Sequence, residues 1–179
     1  MRLRSIGFVL GAWLLAAGTA SAASCNVSAA SRWIVGTTKV LRTEASANGP
    51  TCAQAAVTLV IRASDGTALW VDAAPGAQLM TFAGVKTRAQ TLNALNDWLR
   101  QNPSFDNTGE LGVWRAGRDT PESGEFAFYP EEGVDRAAYE ALRAARLPMF
   151  CYVQGMESLA CVVFQNGQVG KIGVQTFPG

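Results

Sequence analysis

The chain contains no histidine. That absence excludes serine–histidine and cysteine–histidine nucleophile pairs, histidine-ligated metal sites and the commonest general base. Charge is also scarce: Asp, Glu, Lys and Arg make up 16% of the residues, against about 25% in an ordinary soluble domain. Fifteen basic side chains nearly cancel fourteen acidic ones and leave +1. With no basic excess to displace counterions from a phosphate backbone, nucleic acid is not an expected partner. No Cys-x-x-Cys redox pair, no Ser-x-x-Lys and no glycine-rich phosphate loop after a buried strand occurs, and no cofactor is expected.

Apolar content, by contrast, is ample at 49% of 179 residues, which is enough to bury a core. Part of it stands at the start, in MRLRSIGFVLGAWLLAAGTASAAS. Arg2 and Arg4 precede twelve apolar residues, Ile6 to Ala17, and Ala20-Ser21-Ala22 follows. This is the pattern of an export leader cleaved after Ala22, and twelve residues fall short of the roughly 20 that a membrane helix needs. Lipidation at Cys25 would require a large aliphatic residue three places earlier, where Ala22 stands. Residues 1–22 are therefore expected to be a signal peptide and 23–179 a single domain with 13 basic and 14 acidic side chains, net −1. Twelve arginines against three lysines, with 29 alanines, suit a GC-rich bacterial genome. The expected location is periplasmic or secreted, with no membrane span once the leader is removed.

An even set of cysteines after a leader reads as disulfides. Cys151 and Cys161 are symmetric about Met156, so a hairpin turning through Gly155-Met156-Glu157 sets them opposite one another, close enough to bridge. Cys25 then pairs with Cys52. Asn166-Gly167 is a strong hairpin signal, because both residues tolerate positive φ. It pairs Phe164 with Val169, sets Cys161 across from Ile172, and makes residues 149–177 a three-stranded antiparallel meander. Asp65-Gly66 is a second such signal, with Ile61 against Trp70 and Val60 against Val71. Apolar residues on both of its faces predict a hairpin central in its sheet.

Two helices follow from periodicity. Over 88–100, Leu92, Leu95, Trp98 and Leu99 form one stripe and Gln90, Asn93, Asn96 and Asp97 face away. Over 135–146, Asp135 is the expected N-cap, Ala138, Leu142 and Ala145 the inward face, and Leu147-Pro148 the stop. The expected fold is α+β: a mostly antiparallel sheet built of these hairpins, covered by two helices and tied by two disulfides.

Candidate sites are few. The long segment between the first helix and Phe126 is rich in Gly, Pro, Asn and Ser, with only Leu111 to Trp114 resembling a strand. Within it Trp114 stands beside Arg115 and Arg118, a set suited to a glycan, a carboxylate or a protein partner. Met156 and Glu157 at the hairpin tip complete the expected contact residues. The catalytic candidates are all carboxylates: Asp72 in an apolar strand, with Glu110, Glu122 and Glu125 as possible partners for glycan hydrolysis. Asp106-Asn107-Thr108-Gly109-Glu110 lacks the alternate acids and distant glutamate of a calcium loop, so no metal is expected. The leading expectation is a non-enzymatic binding or accessory protein of the bacterial envelope, with an envelope protein or glycan as its partner. A carboxylate-dependent hydrolase of cell-wall glycan and a purely structural envelope protein are the alternatives.

Overall fold

The computed structural model describes residues 24–100, 106–122 and 126–176; the expected leader, 1–22, and Glu125 lie outside them. Two eleven-residue strands come first, β1 (Cys25–Val35) and β2 (Lys39–Gly49). Their odd-numbered side chains point inward: Cys25, Trp33 and Val35 on β1, and Leu41, Thr43, Ala45 and Ala47 on β2, are buried. Even-numbered Ser28, Ala30, Arg32 and Arg42 face out, as the two-residue period of a strand requires. β3 (Ala56–Arg62) and β4 (Ala68–Pro75) complete an antiparallel sheet in the order β1-β2-β3-β4.

Ile61 faces Trp70 and Val60 faces Val71, as expected, but the turn differs. The Ala63 amide donates to the Thr67 carbonyl (2.9 Å), and the Thr67 amide donates to the Asp65 carboxylate (2.9 Å). The turn thus holds three residues rather than two, and a bulge at Ile61/Arg62 absorbs the extra one. The hairpin is also not central, because β4 is an edge strand. The apolar residues on its second face are exposed there rather than covered, Val71 at 58%.

The second sheet has the order β5-β8-β7-β6, from β5 (Phe128–Pro130), β6 (Met149–Val153), β7 (Ser158–Gln165) and β8 (Gln168–Thr176). Asn166 and Gly167 adopt φ of 51° and 84°, and Phe164 pairs with Val169. A bulge at Cys161/Val162 then sets Cys161 opposite Gly173, not Ile172. Both disulfides have the expected connectivity, with Cα separations of 4.8 Å for Cys25–Cys52 and 4.1 Å for Cys151–Cys161.

Side-chain alternation lets this second sheet serve two cores. Phe150, Tyr152, Ala160 and Val162 pack with the first sheet, while Met149, Cys151, Leu159, Cys161 and Val163 pack the other way. Each core receives one helix. α1 (Arg88–Trp98) begins with a capping box in which the Gln90 amide donates to the Thr87 hydroxyl and the Gln90 side chain accepts from the Thr87 amide. Its buried face is Thr91, Ala94, Leu95 and Trp98, continued by Leu99, whereas Leu92 is 41% exposed. Thr91 can be inward because its hydroxyl donates to the Thr87 carbonyl at 2.8 Å, which turns the stripe away from Leu92.

α2 (Arg136–Ala145) starts at Asp135, whose carboxylate accepts from the Ala138 amide (2.8 Å). Its inward face is Tyr139 with half-buried Leu142, and Ala138 and Ala145 are exposed. The tyrosine is the larger apolar surface, and its hydroxyl finds a partner in the Gly112 carbonyl at 2.8 Å. Leu111 to Trp114 joins neither sheet; a bond from the Glu122 amide to the Val113 carbonyl (2.8 Å) folds this segment back on itself.

Candidate functional site

Asp72 lies in the middle of β4, half-buried and facing β6 across the first core. An inward carboxylate needs donors, and two are present. The Tyr152 hydroxyl donates to one oxygen at 2.8 Å, and the Ala73 amide donates to the other at 2.8 Å. The same hydroxyl accepts the indole N–H of Trp70 at 3.0 Å. Trp70, Tyr152 and Asp72 thus form a polar chain linking the two sheets, and Tyr152 rather than an arginine is the partner that the carboxylate requires. The Trp98 ring stands edge-on to Tyr152, centroids 6.0 Å apart, and its indole donates to the Val153 carbonyl at 2.7 Å. Beside this chain is a cavity of about 190 Å³ lined by Asp72, Ala74, Leu79, Trp98, Val153 and Gln154. One carboxylate lines it, a hydrogen-bond acceptor for a small ligand but not the pair that glycoside hydrolysis uses.

The other acidic candidates are engaged locally. Glu110 accepts from the Asp106 amide (3.0 Å) and the Asn107 side chain (2.8 Å), closing a tight turn. Glu122 pairs with Arg115. Among the described residues no group of three Asp, Glu or Cys converges as metal ligands would.

The Trp114 segment is built rather than loose. Its indole is half-buried edge-on against Tyr139, centroids 5.6 Å apart, and donates to the Arg118 carbonyl at 2.7 Å. The Trp114 amide donates to Glu140 at 2.6 Å, and that bond, reinforced by Arg143, holds the Glu140 carboxyl below the usual glutamate range. Gly112 passes so close to Glu122 that a Cβ would overlap its carbonyl oxygen. Gly112→Ala is therefore expected to detach this segment and raise protease cleavage within 106–122, with the first sheet's protection unchanged. Trp114 and Arg115 serve the fold here, and Arg118 keeps an exposed guanidinium with no ion pair among the described residues. At the other expected surface, Met156 is 52% exposed and Glu157 exposed, on a hairpin anchored where the Met80 amide donates to the Gly155 carbonyl (3.1 Å).

No family model, curated protein or solved structure matches this chain. Function must therefore be argued from these surfaces themselves.

Sequence reasoning missed Tyr152 and placed Trp98 only on a helix stripe. The alternation of MFCYV about Cys151 carries the signal for Tyr152, since a residue next to an inward cysteine on a doubly covered strand must enter the opposite core. Burial raises the ionisation of Tyr152 and Tyr139 far above the ordinary tyrosine value, and at Tyr152 the bond to Asp72 and its charge add to the effect. Above pH 10 the unfolded chain loses phenolic protons that the folded chain keeps. The tyrosine contribution to stability is thus complete below pH 10 and falls as pH rises, by up to about 1.4 kcal/mol per pH unit for each tyrosine. Urea titrations between pH 9 and 11.5 should show this decline, with a shallower slope for Tyr152→Phe.

Proposed function

We propose that this protein is an exported, non-enzymatic binding or accessory protein of the bacterial envelope, and that the 155–157 hairpin tip and Arg118 are its contact points. The observation that carries the reading is the tip itself. The Cys151–Cys161 bond lies across the hairpin just below it, and the backbone bond from Met80 to Gly155 pins its side. An exposed methionine on so rigid a support is an adaptable apolar contact whose backbone loses little entropy on binding. The two disulfides suit an oxidising compartment, and the engaged state of Asp72, Glu110 and Glu122 supports binding over hydrolysis.

Met156→Ser combined with Glu157→Ala should lower capture of an envelope partner at least tenfold, with urea unfolding unchanged. Equal capture by wild type and variant would remove the tip from the reading. Steady release of sugar from purified peptidoglycan would replace the reading with the hydrolase. Intact mass tests export, with an N-terminus at Ala23 and both disulfides formed as the expected result.

A further inference from the structure

The solvent face of the first sheet is not used by the reading above. Arg32 pairs with Arg42 across β1 and β2, and Arg42 pairs with Arg62 across β2 and β3. Neighbouring strands lie about 4.8 Å apart, so three guanidinium stems stand in a straight row about 10 Å long. One carboxylate, Glu44 in the next row, accepts from the Nε of Arg62 (2.9 Å) and forms an ion pair with the Nε of Arg42 (3.1 Å). Arg62 also donates through Nη1 to the Gly66 carbonyl (3.1 Å), and Arg32 has no partner among the described residues. Glu44 thus engages two forks by their inner nitrogens and leaves the terminal N–H groups of Arg42 without a bond among the described residues. Directly opposed like charges destabilise a sheet, so three arginines against one glutamate are poised for an external oxyanion.

Exposed aliphatic side chains flank this row on the same face. Ile34 and Val40 pair immediately beyond Arg32 and Arg42, at 66% and 41% exposure, and Val71 stands at 58% on the other side. Ile34 and Val71 are the two most exposed large hydrophobics among the described residues. On the side of Glu44 away from Ile34 the surface is low, with Ser28, Ala30, Ser46 and Thr58 bordering an open depression of about 450 Å³ that reaches Arg42 and Arg62. Among the described residues no aromatic ring stands on this face to stack on a sugar. A soluble anion would leave the aliphatics without a role, and a second copy stacked here would oppose arginine to arginine.

From the arginine row and its aliphatic flanks we infer that this face docks on the phosphate headgroups of an anionic membrane surface, with Ile34 and Val40 entering the headgroup boundary. Such binding is peripheral and salt-dependent.

The test is co-sedimentation of the protein, recovered from its export compartment, with vesicles of phosphatidylglycerol and phosphatidylcholine at 3:7. Binding is expected to weaken about fivefold for Arg32→Ala, to weaken further for Arg32→Ala/Arg42→Ala, and to fall with added salt. Ile34→Ser should also weaken it, while Arg136→Ala on α2 should not. Without vesicles, Arg32→Ala should be at least as stable as wild type, since it relieves repulsion. Four results would overturn the inference: no sedimentation, equal binding to phosphatidylcholine alone, wild-type binding by Arg32→Ala, or wild-type binding by Ile34→Ser combined with full displacement by inorganic phosphate. The last marks a soluble oxyanion site. Because each variant shares the wild-type N-terminus, a retained leader would sediment all of them alike and count against it. Partner capture through Met156 is measured separately and can fail while vesicle binding holds.

Discussion

Replacing Cys151 and Cys161 by alanine is expected to destabilise the protein about as much as replacing Cys25 and Cys52, although the bridge closes the shorter loop. The sequence separations are 10 and 27 residues, and loop-closure entropy gives about 2.8 and 3.6 kcal/mol, favouring the longer loop by about 0.8. Burial offsets most of that difference. Cys151 and Cys161 are 2% and 0% exposed inside the second core, whereas Cys25 is 1% exposed in the first core and Cys52 only partly buried beside it. Truncating a core sulfur adds about 1 kcal/mol for lost contacts and residual cavity, twice for the tip bridge and once for the other. Each bridge should therefore cost about 4 to 5 kcal/mol, a large share of the roughly 5–15 kcal/mol of a whole domain. Urea midpoints at constant slope measure both. A longer-loop variant less stable by more than 1 kcal/mol would show that chain entropy outweighs packing here.

The hairpins were legible because turn chemistry is local. Asn166-Gly167 and the symmetry of Cys151 and Cys161 about Met156 each specify a register without reference to the rest of the chain, and the structure has Cys151 opposite Cys161 and Phe164 opposite Val169. What lies beyond the first few pairs was not legible, since a bulge shifts Cys161 from Ile172 to Gly173. β1 and β2, the longest strands, carried no visible signal. Their outward positions hold Ser, Ala and Arg, and their inward ones include Ala45 and Ala47, so the apolar period is blunted by small residues on both faces. Helix faces failed for a related reason. Counting apolar residues favours Leu92 and Ala138, but tertiary packing chose Thr91 and Tyr139, whose hydroxyls each have a partner.

Site residues divide along the same line. Asp72 stood out because a carboxylate in an apolar strand demands a donor, and that demand is readable from sequence. The identity of the donor is not, because Tyr152 is 80 residues away and reaches it only through the packing of one sheet on the other. The arginine row has the same character: Arg32, Arg42 and Arg62 are unremarkable in one dimension and adjacent only once two registers are known. Trp114 was conspicuous in sequence because tryptophan beside arginine suits recognition, yet its indole N–H is spent on the Arg118 carbonyl.

Trp98→Ala should be the most damaging single substitution, at about 4 kcal/mol. The side chain is 3% exposed and holds three elements together: its ring meets Phe82 edge-on at 5.5 Å and Tyr152 at 6.0 Å, and its N–H caps the Val153 carbonyl at the end of β6. Alanine removes the packing and leaves that carbonyl without its donor. Phenylalanine should recover more than half of the loss, the remainder, about 1 to 1.5 kcal/mol, being the missing hydrogen bond. The vacancy would open into the cavity beside Asp72, which Trp98 now lines. A cavity walled by Leu79, Val153 and Tyr152 with an orphaned acceptor at its rim matches free indole in shape and polarity. Indole at millimolar concentration should therefore raise the urea midpoint of Trp98→Ala, in proportion to the logarithm of its concentration, and leave wild type unchanged. A variant that unfolds early but ignores indole would mean that the helix shifts to fill the space, and that Trp98 supports β6 through the position of α1 rather than through its own ring.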